Sequence, residues 1–350
     1  MQISKSVFGR LADRQPVYLF TLQNDNGVEI KILNYGAIIT SVTTPDKKGE
    51  KANIVCGFDK LEDYLNEVYL SSYPYFGCII GRVGNRIKNG RFTLNGKTYQ
   101  LAVNNGPNHL HGGITGFDRR LWQGEAMVEE EKVGILFSYF SPDGEEYYPG
   151  NLNVSCLYSL NNNNELAIDY FAHTDQTTII NLTNHTYFNL TGGKSDILDH
   201  ELTICADRIT EAADLIPTGR IIPVKGTPYD FTVFKKVRKD LAALEQGYDI
   251  NYVLDNEEDN LVYAACLKES TTGRQVEVFT TQPGMQLYTG YWIPELEING
   301  KKQFGKYSGL ALETQHYPDS VNQPSFPPIV LEPGEKYQQS TVYRFGIAEE

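Results

Sequence analysis

Arg91-Phe-Thr-Leu-Asn-Gly-Lys-Thr-Tyr-Gln100 reads as a β-hairpin. Asn95-Gly96 is the pair preferred by a type I′ turn, because both central residues must take positive φ. With the turn placed there, Phe92 falls opposite Tyr99 as an aromatic cross-strand pair. The same punctuation recurs outward in both directions. Towards the N-terminus, Val17–Gln23 and Val28–Leu33 flank Asn26-Gly27. Towards the C-terminus, Asp143-Gly144 follows Pro142, and Asn161–Asn164 separates Leu152–Leu160 from Glu165–His173. Asn299-Gly300 marks one more turn, and Ile329–Glu335 with Thr341–Ile347 reads as two last strands around Pro333-Gly334. Helical spacing is scarce. Leu61–Val68 predicts about two turns, and Phe234–Glu245, with Val237, Leu241 and Leu244 in phase, about three. No internal repeat, low-complexity tract or Pro/Ser-rich linker divides the 350 residues. Strands and turns at short intervals along the whole length predict an all-β chain with a few short helices, one β-sandwich domain over 1–350.

Composition agrees with strands and tight turns, with 23 Tyr against 3 Met. The net charge of −13 argues against a nucleic-acid or anionic-membrane partner, since both need positive surface. Cys56, Cys78, Cys156, Cys205 and Cys266 are odd in number and widely spaced without a CxxC, which reads as reduced thiols packed as small core residues. The N-terminus lacks the apolar stretch of a signal peptide, and no run approaches the ~20 apolar residues of a membrane span. A cytoplasmic setting is expected, with Met1 as the native start.

Chemistry-bearing residues gather in a few stretches. Read as a strand, Asn181-Leu-Thr-Asn-His-Thr-Tyr-Phe-Asn-Leu190 puts Leu182, Asn184, Thr186, Phe188 and Leu190 on one face. Thr183, His185, Tyr187 and Asn189 fall on the other, an imidazole beside a phenol and amides. Gly81-Arg-Val-Gly-Asn-Arg86 lacks both the GK[ST] of a P-loop and the spacing of a dinucleotide fingerprint. Its glycines let the backbone bend and present Asn85 and Arg86, either to sugar hydroxyls or, for Arg86, to a structural ion pair. In Asn104-Asn-Gly-Pro-Asn-His-Leu-His-Gly-Gly113, His109 and His111 form an HxH pair that would need a third ligand to hold a catalytic metal. Asp249, after Gly247-Tyr248, is either a turn carboxylate or an acceptor for hydroxyls. Gln282 and Gln286 lie near Tyr288, the amide-and-ring mixture that carbohydrate sites use. Glu313 follows Leu310-Ala-Leu312, where burial would raise its pKa and its basicity; an exposed strand-end Glu is the alternative.

Taken together these stretches resemble the aldose 1-epimerase (galactose mutarotase) family. The matching text is GRVGNRI at 81–87, AVNNGPNHLHGG at 102–113, GFDRRLW at 116–122, NLTNHTYFNL at 181–190, GYD at 247–249, QPGMQLYTG at 282–290 and LETQHYPDSVNQP at 312–324. They stand in the family's order and spacing over nearly the whole chain. Ile250 stands where the family usually has a polar residue, and Gly84 where alanine is common. The resemblance implies a large antiparallel supersandwich with a sugar cleft across one sheet and no cofactor. It implies Glu313 as general base, His185 as general acid, and His111 assisting at the ring oxygen or binding the sugar. Asn85, Arg86, Asp249 and Gln286 would hold hydroxyls, with Tyr187 alongside. No metal is implied, the partner is a free aldose, and the protein would be a monomer or homodimer.

Anomers of an aldose interconvert through the open aldehyde. Opening removes a proton from the C1 hydroxyl and delivers one to the ring oxygen, so a carboxylate and an imidazole on either side of the ring suffice. An imidazole with its ordinary pKa near 6.5 would both donate and accept near neutral pH. The competing readings are a hexose-6-phosphate epimerase, which needs further basic residues, a glycoside hydrolase using Glu313 and Asp249, and a sandwich that binds sugar without turnover.

Overall fold

A computed structural model describes residues 1–256, 260–298 and 301–348. The Arg91–Gln100 hairpin forms as read: Asn95 and Gly96 have φ of 50° and 75°, and Phe92 pairs with Tyr99 with ring centroids 5.2 Å apart. The turns at Gly27, Gly144, Asn164 and Gly334 also take positive φ. Asn299-Gly300 lies outside the described residues.

Three sheets carry the architecture, and every pairing between their strands is antiparallel. A nine-stranded sheet is built mainly from Gln123–Val128, Lys132–Ser141, Leu152–Asn161, Glu165–Thr174, Tyr337–Ile347, Arg274–Thr280 and Val262–Lys268. A five-stranded sheet takes the N-terminal strands from Gln2–Arg10 to Lys51–Asn53. A six-stranded sheet runs in the order Tyr187–Phe188, Leu310–Gln315, Gly284–Tyr288, Asp249–Val253, Arg208–Ala213, Ile216–Pro223. Inward residues of all three, among them Phe20, Ile32, Phe137, Tyr158, Leu287 and Leu312, meet in one apolar core. The expected β-sandwich is the fold observed.

Period-two alternation explains where the site falls. In the six-stranded sheet Ile250, Tyr252, Met285, Leu287, Leu310 and Leu312 face the core. Their neighbours Asp249, Asn251, Gln286, Tyr288 and Glu313 therefore share the opposite face. Register places Asn251 beside Gln286 and Gln286 beside Glu313 in one row across three strands. Glu313 lies inside the strand Leu310–Gln315 rather than at its end, and is 2 % exposed. Ile250 sits in the core, on the face away from that row.

Three expectations need correction. Residues 181–190 are not a continuous strand: Thr183–Asn184 pairs with Ile79–Ile80, and Tyr187–Phe188 joins the six-stranded sheet. Between them the Asn184 side chain accepts from the Thr186 N–H and hydroxyl and donates to the Gly77 carbonyl. That local bonding outcompetes the ladder and leaves His185 at a corner. Leu61–Val68 splits into single turns, Leu61–Tyr64 and Glu67–Ser71, because Asn66 caps the second by accepting from the Val68 N–H. Phe234–Glu245 becomes a two-residue strand, Lys235–Lys236, and a 3-10 segment, Val237–Ala243, with Lys235 donating to Asp240 and to the Pro228 carbonyl.

Candidate active site

A cleft of about 650 Å³ opens on the outward face of the six-stranded sheet. Asn85, Arg86, His111, His185, Tyr187, Asp249 and Glu313 line it, and Gln286 lies beside Asp249 on the same face. Residues more than 220 positions apart in sequence thus converge on one hollow. A larger hollow of about 930 Å³ lies on the nine-stranded sheet around Phe140, Phe171 and His173.

The centre of the cleft is the pair His185 and Glu313, with Nε2 3.5 Å from Oε2 and both side chains almost fully buried. His185 is held by its backbone: its N–H donates to the Cys78 carbonyl and its carbonyl accepts from the Gly77 N–H. Its ring stacks on Tyr187, centroids 4.8 Å apart. Neither the His185 Nδ1 nor the Glu313 Oε2 has a hydrogen-bond partner within the protein, and the Gln286 Oε1 is also unpaired. Buried polar atoms are normally bonded, so this cluster is shaped for hydrogen bonds to a polar ligand.

Burial decides the charge of the pair. It pushes the His185 imidazole down to about 3, and the Glu313 carboxyl well above the usual carboxylate range. The Asp249 charge raises Glu313 further, and Arg86 opposes it. The His185 imidazole is therefore neutral near pH 7, and the Glu313 carboxyl holds its proton more tightly than an exposed one would. The ordinary imidazole pKa expected from sequence does not survive desolvation.

The other residues arrange themselves around this pair. His111 Nδ1 accepts from the Asn85 N–H at 3.2 Å, which fixes the imidazole proton on Nε2. Burial, then the neighbouring His185 and Arg86, pushes its pKa well down, so it is neutral. Asn85 has φ of 57° and caps the turn with its Oδ1 on the Arg86 N–H. Arg86 makes the ion pair of one of its two readings: Nη1 lies 3.8 Å from Asp249 on the cleft wall, and Nε donates to Asn105 Oδ1. Gln286 Nε2 donates to Asp249 Oδ1 at 2.5 Å. Tyr187 packs beneath His185 as part of the floor.

The HxH pair does not act together. His109 Nδ1 meets the Ala102 carbonyl and Nε2 the Tyr148 hydroxyl, both at 2.7 Å, so its ring is committed to packing. The donor atoms of His111, His185 and Glu313 lie within 4.8 Å of one another. That spread exceeds the ~3.5 Å between donors on one tetrahedral zinc with bonds near 2.1 Å, so a metal would require the pocket to close. Sequence reasoning missed Tyr73, Tyr75, Asn105, Arg119 and Trp292, all on the cleft wall. The Tyr-Pro-Tyr at 73–75 was the available signal, since proline fixes the presentation of two flanking rings.

These buried histidines also predict how stability responds to pH. Burial lowers His185 to about 3 and His200 and His316 to about 4, and His109 and His111 are lowered too. Between those values and 6.5 the unfolded chain binds protons that the folded chain does not, so stability falls as pH falls. Glu313 and Asp118, raised by burial, work in the opposite direction but are outnumbered. His200 and His316 should each withdraw ~3 kcal/mol across this window, at ~1.4 kcal/mol per pKa unit. Urea midpoints measured from pH 7 to pH 4 should drop steadily; a midpoint that rises on acidification contradicts this assignment.

A β-sandwich that sets a desolvated imidazole and carboxyl beside amides and a guanidinium offers groups that can exchange protons and hydrogen-bond with a polar ligand. The aldose 1-epimerase family profile matches residues 18–344. Galactose mutarotase of Bos taurus is 44% identical over 354 residues, covering 99% of this chain and 100% of that protein. Aldose 1-epimerase of Escherichia coli is 35% identical over 345 residues, covering 96% and 97%. The crystal structure of galactose 1-epimerase from Lactobacillus acidophilus superposes with a TM-score of 0.86 at 29% identity, covering 99% of each chain. The aldose epimerase homologue from C. elegans gives 0.84 at 30% identity, covering 95% and 99%. The chain belongs to the aldose 1-epimerase family.

Proposed function

We propose that this protein is a mutarotase that interconverts the α and β anomers of free hexoses such as galactose and glucose, with Glu313 as base and His185 as acid. The observation that carries the assignment is the buried His185–Glu313 pair, an imidazole facing a carboxyl at 3.5 Å with ligand-facing atoms left unpaired. In this reading the pair holds one proton between its two groups. A sugar in the cleft replaces lost water with its own hydroxyls. Donation from the C1 hydroxyl to Glu313 favours the carboxylate, and the shared proton passes to the imidazole. The carboxylate then takes the C1 proton while the imidazolium protonates the ring oxygen, and the ring opens. Rotation about C1–C2 and reversal of both transfers close the other anomer, leaving the catalyst unchanged. His111, with its proton on Nε2, can donate to a sugar oxygen but is too deeply desolvated to carry charge.

The charge pattern favours a neutral sugar over a phosphorylated one. Arg86 and Arg119 are the arginines of the cleft, and each already faces a carboxylate, Asp249 at 3.8 Å and Asp118 at 3.6 Å. Arg86, Asp249, Asn85 and Gln286 then serve as the hydroxyl clamp. Arg86→Ala is expected to raise KM for galactose ~10–100-fold, the value of one to two charge-assisted hydrogen bonds, with a smaller effect on kcat. An unchanged KM would remove Arg86 from the binding role. All five cysteines are free, consistent with a reducing, cytoplasmic setting, and no helix among the described residues is long and apolar enough to cross a membrane.

Polarimetry on freshly dissolved α-galactose tests the reading. Catalysed approach to the equilibrium rotation is expected. Saturable sugar binding with the spontaneous rate would mean a binding protein, and release of reducing sugar from a glycoside would mean a hydrolase.

A further inference from the structure

Asp118 is among the most deeply buried carboxylates of the chain, and the proton transfers do not use it. It sits in the 3-10 turn Phe117–Arg119 and is 1 % exposed. Its Oδ1 has no hydrogen-bond partner within the protein, and its Oδ2 lies 3.6 Å from the Arg119 Nε. Cβ atoms added at Gly36 or Gly116 would come within 2.1 Å of its carbonyl oxygen and 2.7 Å of its Oδ1, so glycine at both positions lets this turn pack closely. From this point a run of contacts leads into the cleft. The Arg119 guanidinium lies 4.1 Å over the Tyr73 ring. Tyr73 packs on Tyr75 with centroids 4.4 Å apart. Tyr75 packs on His111 at 4.7 Å and lies nearly parallel to His185, 23° between planes at 6.1 Å. Tyr75 holds this place with φ of 57°, a left-handed conformation that a tyrosine adopts only when its surroundings impose it.

We propose that Asp118 is a positioning residue: it anchors Arg119 on Tyr73, and the Tyr73–Tyr75 stack in turn fixes the imidazoles of His111 and His185 for proton transfer. The inference rests on the mutarotase reading of that site. Its logic is geometric. Arg119 is a long, partly exposed side chain that would otherwise spend its rotamer freedom in solvent. The buried carboxylate at its base attracts it as a charge contact at 3.6 Å, since the Arg119 Nε has no hydrogen-bond partner within the protein, and cation–π attraction to the Tyr73 ring adds to it. Pro74 removes one backbone degree of freedom between the two tyrosines. The groups facing the Asp118 carboxylate are Arg119 and Arg120 from its own turn, the Tyr73 and Tyr75 hydroxyls from the cleft wall, the Tyr69 hydroxyl, the Tyr35 hydroxyl from the loop after Glu29–Leu33, and the Cys78 thiol. Burial raises the carboxyl to about 7, with Arg119 the main opposing influence. The anchor is therefore charged above neutrality and loses its charge as pH falls through that value. It adds an ionisation to the pH dependence that belongs to neither His185 nor Glu313.

The test uses the full-length protein with Asp118→Asn, reading kcat and KM for galactose by polarimetry from pH 5 to pH 9, and the imidazole 15N shifts of His111 and His185. The expected result is a ~10–100-fold loss of kcat, the scale of a displacement up to about 1 Å at the reacting groups, with KM little changed. The ionisation near pH 7 should vanish from the kcat profile, and both imidazole signals should move. Tyr73→Phe keeps the ring under Arg119 and removes only the hydroxyl facing Asp118; it should shift the same ionisation with a smaller loss, and it carries the test if the Asn variant does not fold. Wild-type kcat and an unaltered pH profile would overturn the proposal. So would a loss of kcat with the ionisation retained and the imidazole shifts unmoved, which would make Asp118 merely structural. Wild-type protein without polarimetric activity would defeat the mutarotase reading instead, and the imidazole shifts would still report on the positioning.

Discussion

Glu313→Gln should slow catalysed mutarotation of α-galactose ~10²–10⁴-fold, the usual worth of a positioned base, with the fold intact. The substitution is nearly isosteric, and the carboxylate sits mid-strand with Leu310 and Leu312 anchoring its neighbours in the core. Nothing in the sheet depends on its charge: the ladder partner is Gln286, and the Oε2 is unpaired. Burying a carboxyl without partners costs stability, so the glutamine variant should melt no lower than wild type. Polarimetry paired with thermal melting separates the outcomes. Near wild-type turnover would remove Glu313 from the chemistry, and a collapsed melt would leave its part in folding as the cause of the loss.

His185→Asn should be equally damaging to turnover, for a different reason. The backbone of residue 185 is tied to Gly77 and Cys78 through its own N–H and carbonyl, so the corner survives the change. What disappears is the imidazole between Tyr75 and Tyr187. A kcat loss of ~10²–10⁴-fold is expected, together with a change in the pH profile. The wild-type profile should be bell-shaped, because only the singly protonated pair is active. Apart from the Asp118 ionisation near pH 7, the limbs set by the pair should lie below the ordinary imidazole range on the acid side, since burial lowers His185, and above the ordinary carboxyl range on the alkaline side, since burial raises Glu313. The limbs of the pair retained unchanged in the asparagine variant would contradict the role. The double variant should be little worse than either single one, because the two groups act as a unit.

Particular residues show what could be read from the chain alone. Asn95-Gly96 announced its hairpin and the Phe92–Tyr99 pair because turn chemistry is local and obligatory. Leu310-Ala-Leu312 pointed to a strand that buries Glu313, and alternation alone would have put Asp249 and Gln286 on a shared face had the strand order been known. Helical spacing at 61–68 and 234–245 was misleading, because the competing bonds of Asn66 and Lys235 break the first into single turns and the second into a short strand and a 3-10 segment. The pattern at 181–190 suggested a straight strand, and the Asn184 side chain made it a corner. The state of His185 was not legible, because desolvation is a property of the packed cleft. The wall formed by Tyr73, Tyr75 and Arg119 was not legible either: those contacts join segments whose register is set only by the tertiary fold.

A neutron or atomic-resolution crystal structure of the protein with galactose tests the central claim most directly. The C1 hydroxyl should lie within ~3 Å of the Glu313 carboxylate and the ring oxygen within hydrogen-bond reach of the His185 imidazole, with one proton shared between the two side chains. A galactose seated with C1 turned away from both groups, or bound elsewhere on the sandwich, would contradict the account.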